Sequence, residues 1–74
     1  MLPEKNKWYR ILRYEKILIV HVTSSVYDND GDDCVWTTTY YPSGSIYSDY
    51  RLFADKYDWV ELTAEERVAF ILEN

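Results

Sequence analysis

From Trp8 to Tyr27 the chain is dense in Trp, Tyr, Ile, Val and Thr and carries no apolar stripe at helical spacing, so it reads as β-strand. The run Trp8 to Tyr14 is either a separate first strand that turns at Glu15-Lys16 or the start of one long bent strand continuing into Ile17. Glu-Lys is poor turn chemistry, and the two-strand reading is carried forward with the other left open. Asp30-Gly31 then breaks the pattern as a type I′ hairpin signal, because both central positions of that turn need positive φ. Strand character resumes from Cys34 to Tyr41. A second turn cluster, Pro42-Ser43-Gly44-Ser45, leads into a last β-like run from Ile46 to about Phe53.

The two turns imply a register. Centring the first on Asp30-Gly31 pairs Tyr27 with Cys34 and, carried on, His21 with Tyr40. Closing the second over residues 42–45 pairs Trp36 with Arg51, Thr38 with Asp49 and Tyr40 with Tyr47. The side chains then sort into two faces. Leu18, Val20, Val22, Val26, Val35, Tyr41, Ile46, Tyr50 and Leu52 form the apolar one. His21, Thr23, Ser25, Tyr27, Cys34, Trp36, Thr38, Tyr40, Tyr47, Asp49 and Arg51 form the polar one, which Arg10 and Tyr14 join if the first strand pairs alongside.

The period changes at the C-terminus. Thr63-Ala64-Glu65-Glu66 is a capping box, so a helix starts at Ala64. Ala64, Val68, Ile71 and Leu72 recur at helical spacing, which predicts that this short helix lies across the face bearing Val20, Val22, Val35 and Leu52 and completes the core. Trp59 and Val60 are expected to plug one end. The expected fold is α+β: one domain over residues 1–74, a small antiparallel meander of three or four strands with a C-terminal helix packed on one face.

Composition narrows the classes. In 74 residues, with one Cys and one His, neither a disulfide nor a zinc site is available to staple so small a core. The longest apolar run, Ile17 to Val20, is far short of a membrane span, and Met1-Leu2-Pro3-Glu4 does not begin a signal peptide, which points to the cytoplasm and no membrane partner. Charge is polarised. Residues 1–16 hold five basic and two acidic side chains, a net of +3, whereas the rest hold three basic and eleven acidic, a net of −8.

Candidate chemistry is sparse. Asp28, Asp30, Asp32 and Asp33 imitate the start of a calcium loop, but an EF-hand needs Gly at the sixth position and Glu at the twelfth, where Asp33 and Thr39 stand. The expectation is an acidic hairpin tip and no metal. Cys34 and His21 are the only nucleophile and base of their kinds, yet the register separates them by about 20 Å of strand. No phosphate-binding Gly loop, nucleophile elbow or zinc signature occurs, so no enzyme and no cofactor is expected.

What remains is the aromatic polar face. His21, Tyr40 and Tyr47 align across three strands, flanked by Trp36 beside Arg51 and by Asp49. Tyr and Trp supply rigid contact area with a polar handle, the chemistry of interface hot spots, although such pairs also stabilise an ordinary solvated sheet. With the acidic tip, this gives a protein-binding module, a small acidic inhibitor that occupies the basic groove of a nucleic-acid-handling protein. In style it resembles the small, acidic, aromatic-rich accessory proteins that viruses encode. The −8 body disfavours direct nucleic-acid binding. Two alternatives are a nucleotide or other small-molecule binder using Tyr or Trp stacking with Arg10 and Arg51, and a homodimer subunit joined through the sheet face.

Overall fold

The computed structural model describes residues 1–73. It contains β1 (Trp8–Arg13), β2 (Lys16–Val22), β3 (Tyr27–Asn29), β4 (Asp32–Tyr40), β5 (Ile46–Phe53), β6 (Val60–Glu61) and α1 (Ala64–Glu73). The strands form a single antiparallel sheet. β6, β1, β2 and β4 are successive neighbours, β3 extends the β2 side of β4, and β5 takes the other edge of β4. The α+β class stands, with six strands where the pattern suggested three or four. The extra strands come from β1 being separate from β2, from a four-residue interruption of the first hairpin arm, and from the short return strand β6.

β1 and β2 meet through a two-residue turn at Tyr14-Glu15, one residue earlier than Glu15-Lys16, since Arg13 already faces Lys16. Both turn residues have positive φ, 49° and 63°, the type I′ pattern without its usual Asn or Gly. A left-handed conformation costs a side-chain-bearing residue about 1–2 kcal/mol. Glu15→Gly is therefore expected to stabilise the protein by about 1 kcal/mol, read as a higher urea midpoint with an unchanged slope. An unchanged or lower midpoint would show that the turn is unstrained.

Asp30-Gly31 turns as its chemistry requires, at φ 53° and 91°, and Tyr27 faces Cys34. The register does not run on unbroken into β2. Residues 23–26 leave the ladder, held by the Thr23 N–H on the Trp36 carbonyl (2.9 Å) and the Trp36 N–H on Ser24 Oγ (2.9 Å). This detour shifts the partners by two, so His21 faces Thr38 and Tyr40 faces Ile19. An even shift preserves the faces. The β4–β5 ladder differs more, because Thr37 faces Tyr50 but Thr39 faces Tyr47. Ser48 and Asp49 therefore stand against Thr38 alone, a β-bulge with Asp49 at φ 51°. An odd shift exchanges faces, so Ile46 and Tyr47 swap sides relative to the expected pattern.

The core lies on one face of the sheet: Tyr9, Ile11, Leu18, Val20, Val22, Val35 and Leu52, joined by Ala54 and Trp59, with Val26, Tyr41, Tyr50 and Tyr57 half-buried against them. Thr37 and Thr39 are buried among these apolar groups without penalty. Thr37 donates to the Tyr50 carbonyl (2.7 Å), which leaves Thr39 to donate to Thr37 (2.8 Å). Ile46 is exposed and is not part of this core.

The cover on the core is not the helix, contrary to the expected packing. No helical residue is buried. Instead residues 54–59 lead from β5 to the β1 edge and carry Ala54 and Trp59 into the core. Trp59 is 5% exposed, meets the Tyr9 ring edge-on at 5.5 Å and donates its indole N–H to the Ala54 carbonyl at 2.9 Å. Trp59 thus plugs the end as expected, whereas Val60 points outward. No helix among the described residues is long and apolar enough to cross a membrane.

Candidate functional site

The helix is seated on the opposite, outer face. Its capping box forms reciprocally: the Glu66 N–H donates to Thr63 Oγ1 (3.1 Å) and the Thr63 N–H donates to Glu66 Oε1 (3.0 Å). Glu66 also takes the guanidinium of Arg10 from β1. The Thr63 backbone hydrogen bond first, and then Arg10, hold Glu66 below the ordinary carboxylate range. One turn later Phe70 packs against Trp8 (6.0 Å between centroids) and against Tyr40 edge-on (5.0 Å). Trp8 stacks in turn on His21 at 4.4 Å, nearly parallel, and lies 5.8 Å from Tyr40. Trp8, His21, Tyr40 and Phe70 are therefore one aromatic seat.

At 100° per residue, Glu66 and Phe70 occupy one side of the helix, and Val68 and Leu72 fall diametrically opposite. The apolar stripe that suggested core docking consequently points to solvent. Val68 is 53% exposed, Ile71 55% and Leu72 81%. Ala64, Glu65, Val68, Ala69 and Leu72 line a shallow apolar hollow of about 430 Å³. On the flank of the helix Ile71 and Ile46 border a cleft of about 290 Å³ floored by Trp8, Tyr40 and Phe70. Apolar surface is thus continuous from the helix onto the outer sheet. A sequence signal for this orientation exists in the Glu66 and Phe70 pair, four apart, next to Arg10 and Trp8, two apart on one strand face.

The expected row of His21, Tyr40 and Tyr47 is dissolved. His21 and Tyr40 remain together, through Trp8 rather than as direct partners. Tyr47 leaves them for the other face because of the Asp49 bulge, where its ring meets Tyr41 (5.2 Å) and Tyr50 (5.5 Å). Trp36 does face Arg51, and its ring is stacked on Tyr27 at 6.2 Å. Asp49, expected opposite Thr38, sits in the bulge and borders with Thr23, Ser24 and Trp36 a hollow of about 560 Å³. The Asp49 carboxylate borders that hollow, and the Arg10 guanidinium is paired with Glu66. Tyr14 lies in the turn rather than on the polar face.

Asp28, Asp30 and Asp32 are exposed at the β3–β4 tip and Asp33 is half-buried there, with Asp28 directly opposite Asp33. Like charges so placed repel by a fraction of a kcal/mol, about 0.2–1, so the tip is no stability device. Among the described residues no group of three or more His, Cys, Asp or Glu side chains is placed to hold a metal ion. Cys34 is buried between Tyr27 and Phe53, and His21 lies on the neighbouring strand opposite Thr38, four residues along β4 from Cys34.

Burial holds His21 below the ordinary histidine range. A depressed histidine pKa means that the unfolded chain binds the proton more readily. The contribution of neutral His21 to stability is therefore full above about pH 6.5 and declines as pH falls below it. Urea unfolding followed from pH 7.5 to 5.5 is expected to show this decline in the wild type and to lose most of it in His21→Phe. An identical decline in the variant would place the titrating group elsewhere. No family model, curated protein or solved structure matches this chain.

Proposed function

We propose that the protein is a non-enzymatic binding module, an inhibitor-like ligand for a protein whose surface offers an apolar pocket ringed by Lys and Arg, as grooves that handle nucleic acid do. The observation that carries the reading is the outward apolar stripe of α1, Val68, Ile71 and Leu72, on a helix seated from its other side. A small chain gains nothing in stability from three exposed aliphatic residues in line with Ile46, and such contiguous patches mark interaction sites. Charge selects the occupant. The helix holds three Glu to one Arg, and the chain beyond residue 16 carries −8. A second copy would lay one net-negative helix on another, whereas a cationic partner is attracted and steered. The acidic tip at Asp28, Asp30, Asp32 and Asp33 adds to that field, and the partly covered Tyr40 and His21 act by supporting the helix.

The test is affinity isolation from the source cell followed by reconstitution with the purified partner. Support consists of a one-to-one complex whose association rate falls steeply as salt rises, and falls likewise when Asp28, Asp30, Asp32 and Asp33 are changed to Asn. A complex with no ionic-strength dependence contradicts the reading, as does a chain that only forms homodimers in light scattering.

A further inference from the structure

A second grouping lies on the opposite face, at the end of the core nearest the β1–β2 turn. Arg13 projects there from β1, half-buried. Its Nη1 donates to the Tyr41 hydroxyl at 3.1 Å and to the Tyr50 hydroxyl. The guanidinium carbon lies 5.0 Å from the Tyr14 ring centroid and 5.4 Å from that of Tyr50. Tyr47, turned to this side by the Asp49 bulge, closes on Tyr41 and Tyr50. The residues come from distant parts of the chain, and the β-bulge adds Tyr47 to them.

Two features of this cluster are not those of a structural arginine. The chain holds 13 acidic residues to 8 basic ones, and Lys7 and Arg10 both find carboxylates, yet among the described residues no carboxylate pairs with Arg13. Phenols surround it instead. In addition, its Nε–H is sealed from water with no acceptor. Nη1 is spent on the two tyrosines, so the edge left without a partner is that of Nε and Nη2, whose parallel N–H bonds match the two oxygens of a carboxylate or phosphate. A guanidinium does not deprotonate to escape the deficit.

We propose that Arg13, held by Tyr41 and Tyr50, is a binding site for one oxyanion group, a carboxylate or a phosphate, gripped by its Nε and Nη2 edge. Tyr41 and Tyr50 are positioning residues. They anchor the far side of the fork so that the free edge is presented ready-made. Tyr14 is the mobile neighbour: its ring is 82% exposed on a two-residue turn with its centroid 5.0 Å from the guanidinium carbon, so it moves aside for an anion without disturbing the core. The site is on the face away from the helix stripe and is independent of it. Tyr50 supplies a reporter. A hydrogen bond from Tyr41, then Arg13, holds its phenol below the ordinary tyrosine range, while burial first and its hydrogen bond to Tyr50 second push Tyr41 above it. An anion on Arg13 cancels part of the positive potential at Tyr50 and moves its titration back upward.

The test uses the full chain labelled with ¹⁵N at arginine. Inorganic phosphate, acetate and chloride are titrated separately at constant ionic strength while the Arg13 Nε–H resonance and the Tyr50 titration are followed. The expected result is a saturable downfield shift of the Arg13 resonance with phosphate, acetate or both, accompanied by a higher Tyr50 midpoint and absent with chloride; the two arms tell which oxyanion is preferred. Arg13→Lys, which keeps the charge without the fork, is expected to weaken binding by about tenfold. Equal, non-saturating shifts with all three anions in the wild-type protein overturn the proposal whether or not that variant folds. A folded Arg13→Lys protein that binds as well as the wild type also overturns it.

Discussion

Replacing Trp59 with Ala is expected to cost about 3–5 kcal/mol, enough to leave a domain of this size largely unfolded at room temperature. Trp59 is the largest side chain on the segment that crosses the core face, and no second layer of structure stands behind it. Truncation removes the edge contact with Tyr9, opens a cavity next to Ala54 and Leu52, and leaves the Ala54 carbonyl without its indole donor. Ile71→Ala is the matched control. It removes a smaller, aliphatic group from the helix, one that already faces water, and the expected change is within about 0.5 kcal/mol. Chemical unfolding of the two variants side by side decides whether the core is closed by the crossing segment or by the helix. A large loss in Ile71→Ala with little in Trp59→Ala would reverse the assignment.

The second large effect is expected in binding rather than in folding. Changing Val68 and Leu72 together to Ser removes the two most outward apolar residues of α1 and touches neither Phe70 nor Glu66, so the helix keeps its seat. Dissociation from the reconstituted partner is expected to accelerate by about a hundredfold, the consequence of losing two anchors of about 1.5 kcal/mol each, while the association rate at low salt is nearly unchanged. Neutralising the acidic tip is expected to do the converse. A double variant that dissociates as slowly as the wild type would move the interface off the helix.

Much of the sheet is legible in the residues themselves. Asp30-Gly31 specifies its turn chemically, and the alternation of Leu18, Val20, Val22, Val35 and Leu52 identifies the buried face, because period-2 patterning survives any even shift of partners. The two departures have distinct causes. The detour at residues 23–26 depends on Ser24 capping the Trp36 N–H, a contact between residues twelve apart that no local pattern announces. The bulge at Asp49 is a one-residue shift, and one residue is enough to carry Tyr47 and Ile46 across the sheet. The Tyr14-Glu15 turn is illegible for the opposite reason: it adopts positive φ without the residues that favour it, under the demand of the β1–β2 pairing.

The helix shows how a correct element can be given the wrong face. Thr63 and Glu66 mark its start unambiguously, and Ala64, Val68, Ile71 and Leu72 form a genuine stripe. The stripe says that these residues share a side, not which surface that side meets. The decision rests on Phe70 with Trp8 and Tyr40, and on Glu66 with Arg10, contacts between residues 30 to 62 apart in the chain. Of the candidate binding residues, His21 and Tyr40 retain their neighbourhood, Trp36 and Arg51 their pairing, and Tyr47 becomes a neighbour of Tyr41 and Tyr50.

The face on which the helix sits is the claim from which both the exposed stripe and the proposed function follow. Nuclear Overhauser contacts in the free protein measure it directly. Cross-peaks are expected from the Phe70 ring to Trp8 and Tyr40, and none from Val68, Ile71 or Leu72 to the methyl groups of Val20, Val35 or Leu52. Cross-peaks between Ile71 or Leu72 and those core methyls would contradict it.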